Sequence, residues 1–132
     1  MTVFVKESSE SILSGLSKMK AAMIEDYESW NHVAADAPHD EIRARMNKEY
    51  AAGFEVKHGS KYIKLLTKNG DCVTAFIVGV DTDKKFRKGD ILMPAGWVAP
   101  ARNGARGNVL DGGYPINWTG PLYLQGPGQL LR

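Results

Sequence analysis

The stretch Lys61-Tyr-Ile-Lys-Leu-Leu-Thr-Lys-Asn-Gly-Asp-Cys-Val-Thr-Ala-Phe-Ile-Val-Gly-Val80 decides the fold. At its centre, Asn69-Gly70 is the strongest short-range signal for a tight hairpin turn, because both residue types tolerate positive φ angles. The flanking residues are rich in β-branched and aromatic side chains. We therefore predict two antiparallel strands, over 61–68 and 72–80, joined by a two-residue turn.

A two-residue turn also fixes which residues face each other across the hairpin. Opposite charges then meet at the turn and apolar side chains meet further back, so the register agrees with the hydrophobic pattern. The predicted pairs are Lys68 with Asp71, Leu66 with Val73, Leu65 with Thr74, Ile63 with Phe76 and Tyr62 with Ile77.

Two helices are predicted before the hairpin. The first runs from Ser9 to about Ala35, with Ser8 or Ser9 as its N-cap, and carries one apolar stripe at spacings of three and four residues. The stripe consists of Ile12, Leu16, Met19, Met23, Tyr27 and Trp30. The second runs from Asp40 to Ala52, after a link at 36–38, and Gly53 ends it.

The first helix has two candidate partners. Packing onto the protein's own sheet is one interpretation. Self-association is the other, because the stripe is close to a heptad repeat. The residues of such an oligomer interface would be Leu16, Met19, Met23, Tyr27 and Trp30.

The rest of the chain is predicted to be short strands and loops. Residues 1–7 favour a short edge strand, and Gly89–Met93, Ile116–Thr119 and Leu122–Leu124 favour strands that complete the sheet. The predicted class is α+β: two N-terminal amphipathic helices, then a small, mostly antiparallel β-sheet with a long structured loop. We divide the chain into a helical hairpin over 1–53 and a β-rich unit over 54–132, which form one structural unit.

Composition excludes several classes. The chain has 132 residues, of which 43% are hydrophobic and 24% charged, with a net charge of +2. A dedicated duplex-DNA-binding protein usually has a larger basic excess, so nucleic acid is a poor candidate partner. Cys72 is the only cysteine, which fits a reducing compartment. With no signal peptide and no transmembrane run, we expect a cytoplasmic protein of the host cell, without membrane association.

The long loop is the best candidate for a binding site. From Gly96 to Asp111 it has neither helical nor strand periodicity, and it holds two arginines, two asparagines and a tryptophan. Arginine pairs with phosphates, asparagine reads polar edges and tryptophan stacks on a base. The predicted ligand-binding residues are Trp97, Arg102, Asn103, Arg106 and Asn108. The alternative is a structured connection whose arginines cap carbonyls and pair with Asp90 or Asp111.

Catalytic and metal chemistry are not indicated. The three histidines, His32, His39 and His58, lack the paired spacing of a zinc site, and no nucleophile elbow, phosphate-cradling loop or dinucleotide fingerprint is present. We predict no enzyme activity, no catalytic residues, no metal site and no cofactor.

Part of the chain resembles a known group of proteins. The segments Lys61–Lys64, Phe86–Leu92, Trp97–Asn103, Ala105–Asn108 and Trp118–Gly120 look like those of small, mostly uncharacterised proteins of tailed bacteriophages. The pattern Trp-x-Ala-Pro-Ala followed by Ala-Arg-Gly-Asn carries the likeness. Paired N-terminal helices before a compact β unit also resemble phage anti-defence "sponges" that inhibit Thoeris immunity. That resemblance implies an oligomer that sequesters cyclic ADP-ribose isomers or cyclic oligonucleotides.

The leading functional prediction joins the loop chemistry to this resemblance. We expect a phage-encoded, non-enzymatic binding protein that sequesters a nucleotide-derived immune signal and so blocks host anti-phage defence. One alternative is a phage accessory protein or inhibitor that acts through protein–protein contacts. Another is a single-stranded nucleic-acid-binding protein.

Overall fold

The protein is described by a computed structural model that covers residues 3–31 and 40–122. Two helices and two antiparallel sheets are present, which confirms the α+β class. The helices are α1 (Ile12–Trp30) and α2 (Asp40–Ala52). The strands are β1 (Val3–Val5), β2 (Glu55–His58), β3 (Tyr62–Thr67), β4 (Cys72–Val78), β5 (Ile91–Leu92), β6 (Tyr114–Asn117) and β7 (Gly120–Pro121).

The two sheets have simple orders. The strand order of the smaller sheet is β1-β6-β7, and that of the larger sheet is β2-β3-β4-β5. All neighbouring strands are antiparallel. The last part of the long loop lies beside the residue before β5, through an antiparallel bridge between Asp90 and Asn108. The link predicted at 36–38 and the strand predicted at Tyr123 and Leu124 lie outside the described residues.

The central hairpin forms at the predicted place, and its turn follows the Asn-Gly signal. Asn69 has φ 57° and Gly70 has φ 91°, and the amide of Asp71 donates to the carbonyl of Lys68 at 3.1 Å. Leu66 pairs with Val73, as predicted.

Further from the turn the predicted register is wrong by one residue, because a bulge at Thr74 shifts the pairing. The Thr74 hydroxyl lies 3.2 Å from that of Thr67, and a side chain on Gly120 would collide with Thr74. Contacts distant in sequence therefore hold the bulge. The observed pairs are Leu65 with Ala75, Ile63 with Ile77 and Tyr62 with Val78, in place of Leu65 with Thr74, Ile63 with Phe76 and Tyr62 with Ile77.

Helix α1 is shorter at its start than predicted. Its N-cap is Ser11, whose side chain accepts the amide hydrogen of Ser14 at 3.1 Å, rather than Ser8 or Ser9. Helix α2 spans the predicted residues. No helix among the described residues is long and apolar enough to cross a membrane.

Within the larger sheet, β4 is buried on both faces from Thr74 to Val78, and side chains along β3 and β4 alternate between the two faces. One face packs against α1 and the smaller sheet, in a core that contains Leu16, Met19, Leu65, Ile77 and Ile116. The other face lies under the loops that flank β5. Its core contains Phe76, Val78, Phe86, Leu92 and Ala105.

Candidate functional site

Arg102 is held by contacts within the protein. Its guanidinium donates to the Tyr62 hydroxyl at 2.5 Å and to the Asp83 carboxylate at 2.9 Å, and its Cζ lies 4.9 Å from the Phe86 ring centroid. These contacts fasten the long loop over the outer face of the larger sheet. The guanidinium nevertheless remains partly exposed, at 39% of its side-chain surface.

Asp83 is the anchor of this arrangement. Its carboxylate accepts the amide hydrogens of Lys85 and Phe86, at 2.8 and 2.9 Å, and forms a second ion pair with Lys61 at 3.0 Å. The hydrogen bond from Arg102 is the largest cause that holds the pKa of Asp83 well below its usual range, and the bonds from Phe86 and Lys61 add to it. Asp83 is therefore ionised whenever the protein is folded near neutral pH.

Asn108 is used entirely for structure. Its amide nitrogen donates to the Lys88 carbonyl at 3.0 Å and to the Asp90 carboxylate at 2.9 Å. Its amide oxygen accepts from the backbone of Leu110 at 2.8 Å and of Asp111 at 3.1 Å. Since the side chain is buried and all its hydrogen-bonding functions are occupied, the geometry favours the structural role for this residue over the predicted ligand contact.

Arg106 is buried, and no carboxylate of the described residues pairs with it. It is 6% exposed, its Nη1 donates to the Gly104 carbonyl at 3.2 Å, and its Nε has no hydrogen-bond partner within residues 3–31 and 40–122. Burial lowers the pKa of Arg106. A cation in this state is costly unless an anion compensates it, so the prediction that Arg106 pairs with a phosphate keeps a physical basis.

The two other predicted residues of the loop lie at the surface. Trp97 is 54% exposed, and Asn103 is exposed with no hydrogen bond from its side chain among the described residues. The carbonyl of Trp97 accepts a hydrogen bond from Lys64 at 2.5 Å, which brings the loop to strand β3. Trp97 and Arg102 thus both contact β3, whereas the Asn108 side chain bonds to Lys88 and Asp90, before β5.

Beside these two contacts lies an open cleft of about 450 Å³. Strands β2 and β3 and the turn between them form most of it. Its lining residues are Lys57, His58, Gly59, Ser60, Lys61, Tyr62, Lys64, Phe76 and Val98. We call it the basic cleft.

The basic cleft contains two positive charges that face each other across neighbouring strands. Lys57 on β2 lies directly opposite Lys64 on β3 in the antiparallel register. Directly opposed side chains on one face have Cβ atoms about 5 Å apart, and like charges at that separation destabilise a sheet. No described carboxylate pairs with either ammonium group. Lys64 has partners in the fold, because it donates to the Trp97 carbonyl, whereas Lys57 forms no hydrogen bond or ion pair with the described residues. An anion bound between the two lysines would offset their repulsion.

The remaining charges add to the positive potential. Lys61 and Arg102 share one carboxylate, that of Asp83, so this cluster keeps an excess positive charge. An opening lined by cations next to a low-dielectric protein surface concentrates anions. The basic cleft is therefore suited to a ligand with one or more negative charges.

Aromatic rings border the same cations. The Lys64 ammonium lies 5.6 Å from the ring centroids of both Phe76 and Trp97, and Tyr62 packs edge-on against Phe76 at 5.8 Å. An exposed indole and a partly exposed phenol beside lysines can hold a planar ring and its phosphate together.

Sequence reasoning missed Lys57, Lys61 and Lys64. The alternation of side chains in β3 could have indicated them. Ile63 and Leu65 face the core, so Tyr62 and Lys64 share the opposite face of the strand. This signal was weaker in β2, which has only four residues, although Gly59-Ser60 after it is a dipeptide typical of a hairpin turn.

The residues predicted to form an oligomer interface separate into two groups. Leu16, Met19 and Met23 are at most 1% exposed in the protein's own core, so the fold leaves them no free surface. Tyr27 is partly buried and stacks on Tyr50, with ring centroids 4.2 Å apart. Trp30 is 67% exposed.

Metal ligands do not cluster in the described part of the chain. No group of three His, Cys, Asp or Glu side chains is arranged to hold an ion there. His58 lines the basic cleft, and His32 and His39 lie outside the described residues.

The chain belongs to DUF7717, a family of unknown function, which matches residues 3–123. No curated protein and no solved structure matches it.

Proposed function

We propose that the protein binds a small anionic ligand with a planar ring, of the nucleotide class, in the basic cleft and releases it unchanged. The observation that carries this proposal is the Lys57–Lys64 pair, two like charges directly opposed in the sheet without a described carboxylate partner. A phosphate between them would turn a repulsive pair into two charge-assisted contacts.

Each part of the basic cleft has a role in this proposal. Lys57 and Lys64 hold the negative charge, with Lys61 and Arg102 beside them. Tyr62 and the exposed ring of Trp97 contact the planar group. Arg106, buried on the same loop as Arg102, is a further candidate phosphate ligand if the loop opens between Gly104 and Gly107.

The biological role follows from the resemblance to phage anti-defence proteins and is part of the proposal. A protein that binds a nucleotide-derived immune signal and does not convert it lowers the free concentration of that signal and so protects the phage. Cyclic ADP-ribose isomers and cyclic oligonucleotides carry both the phosphates and the planar bases that the basic cleft is suited to hold.

The experiment is isothermal titration calorimetry with three probes: ADP-ribose, pyrophosphate and adenosine. ADP-ribose is expected to bind most tightly, since it alone offers both charge and ring, and its affinity should fall as salt is raised. Lys57→Ala should weaken ADP-ribose by about tenfold, the effect of losing one charge-assisted contact of ~1.4 kcal/mol.

The matched control is Lys48→Ala, which removes an exposed lysine from α2, away from the cleft. Adenosine binding as tightly as ADP-ribose would contradict the proposal. So would equal losses in Lys57→Ala and Lys48→Ala.

A second candidate, assembly into a homo-oligomer, is supported by exposed apolar side chains on the helices. Trp30 is 67% exposed and Ile42 is 51% exposed. The Asn31 side chain donates to the Arg43 carbonyl at 2.9 Å and so joins the end of α1, which carries Trp30, to the first turn of α2, which carries Ile42. Aromatic and large aliphatic residues of this kind are enriched in protein interfaces.

A further inference from the structure

A second opening shares no lining residue with the basic cleft. It lies between the two helices and the tip of the β3–β4 hairpin. Its volume is about 490 Å³. Its lining residues are Tyr27, Met46, Glu49, Tyr50, Lys68, Asn69, Asp71 and Trp118. We call it the aromatic cleft. The proposed anion binding does not use any of these residues.

The rings of the aromatic cleft are fixed by one another. Tyr27 and Tyr50 stack with an interplanar angle of 5°, and Trp118 packs edge-on against Tyr27 at 5.3 Å. The Tyr50 hydroxyl also donates to the Trp118 carbonyl at 2.6 Å. A ligand would therefore meet rings that are already in place, and little side-chain entropy would be lost on binding.

The charges around the aromatic cleft are mainly negative. The carboxylates of Glu49 and Asp71 line it and form no hydrogen bond or ion pair with the described residues, against the single ammonium group of Lys68. Behind the rings, the fully buried Asp26 accepts the amide hydrogen of Trp118 at 2.8 Å. Burial, followed by the charge of Asp26, raises the pKa of Tyr50, which is consistent with a negative local potential.

Aromatic rings next to carboxylates form the environment that proteins use for organic cations. The π faces attract a positive charge, and quaternary ammonium and guanidinium groups lose less hydration than a primary ammonium when they contact a ring. A phosphate would instead be repelled by Glu49 and Asp71. The two clefts therefore have opposite charge preferences.

We propose that the aromatic cleft binds a small organic cation of the quaternary ammonium or guanidinium type, against the ring cluster of Tyr27, Tyr50 and Trp118 and beside the carboxylates of Glu49 and Asp71. This site is independent of the basic cleft and of the function proposed for it. Lys68 opposes the cation and limits its affinity.

The test is a titration with choline, followed by the NMR signal of the Met46 methyl group. Met46 lines the cleft and is 42% exposed, and Met46→Leu assigns its signal. The neutral isostere 3,3-dimethyl-1-butanol is the matched ligand, because it has the same shape without the charge. Choline should shift the Met46 signal with saturation, and the isostere should bind at least about fivefold more weakly, as expected for loss of a cation–π contact.

Charge variants give opposite signs and so separate binding from a folding defect. Glu49→Gln and Asp71→Asn should each weaken choline binding several-fold, whereas Lys68→Ala should strengthen it. Glu41→Gln, on the exposed first turn of α2, is the control and should leave it unchanged. Equal affinity for choline and its isostere would overturn the proposal, as would weaker binding in Lys68→Ala or the absence of any saturable shift.

Discussion

At the scale of single residues, Lys57 occupies a position that is unfavourable for the stability of the sheet. It faces Lys64 directly across two antiparallel strands. A sheet selected for stability alone would place an opposite charge or a β-branched residue there. The proposed anion binding accounts for the two lysines as a feature that serves a ligand at some cost to the unliganded fold.

Lys57→Glu should therefore stabilise the unliganded protein and abolish anion binding. An opposite-charge pair with Lys64 replaces a repulsive one, so we expect the free energy of unfolding to rise by about 0.5–1 kcal/mol in urea titrations. Lys48→Glu changes the net charge equally and should have a smaller effect. A loss of stability in Lys57→Glu would mean that the two ammonium groups do not repel each other in the folded state.

The ion pairs of Asp83 predict how the free energy of unfolding depends on pH. Its pKa is lowered in the folded protein, chiefly by Arg102, so the unfolded chain binds the proton more readily. The stability that Asp83 contributes is then fully present above the unfolded-state pKa of about 3.9 and is lost as pH falls below it. Asp83→Asn should reduce the free energy of unfolding at neutral pH, and the difference from wild type should shrink below about pH 4.

Asp81→Asn is the matched control for that measurement. Asp81 is exposed in the same segment and forms no described hydrogen bond or ion pair. Its substitution should change stability little at any pH. If the wild type and Asp83→Asn differed by the same amount at neutral and acid pH, the ion pairs with Lys61 and Arg102 would not account for the role of Asp83.

At the scale of elements, the hairpin shows which features the local sequence predicts and which depend on distant contacts. Asn69-Gly70 predicts the turn because both residue types tolerate the positive φ angles that they adopt there. The bulge at Thr74 could not be predicted, since its partners Thr67 and Gly120 meet it only in the folded protein. Strand β2 was missed for the same reason, because four residues gain their strand conformation from pairing with β3.

Helix α1 depends on a close approach at Gly15. A Cβ atom there would lie 2.5 Å from the carbonyl oxygen of Val109 and 2.8 Å from its Cβ. Gly15→Ala should therefore lower the free energy of unfolding by about 1–3 kcal/mol through overpacking, even though alanine favours the helix by about 1 kcal/mol. Thermal and urea unfolding measure the change.

The exposed position Ser17 on the same helix supplies the comparison. Ser17→Ala gains helix propensity without a steric cost and should stabilise the protein slightly. If Gly15→Ala were also stabilising, α1 would not lie as close to the 105–110 segment as the structure places it.

At the scale of the whole molecule, both faces of one sheet are covered by different parts of the chain. The α+β class and α2 follow from composition and periodicity, but the basic cleft does not, because β2, β3 and the long loop meet only after folding. Trp97 and Arg102, which were predicted from the chemistry of the loop, contact β3 beside this cleft. Asn108 is buried instead, because its side-chain amide forms hydrogen bonds with backbone groups of Lys88, Leu110 and Asp111.

Native mass spectrometry tests the central claim most directly. The wild type, Lys57→Glu and Lys48→Glu would each be mixed with cyclic ADP-ribose isomers and cyclic oligonucleotides, and the mass of the assembly would also report the number of subunits. We predict that the wild type and Lys48→Glu retain a nucleotide and that Lys57→Glu does not. A wild type that retains none, or a Lys57→Glu protein that retains the same nucleotide equally well, would contradict binding in the basic cleft.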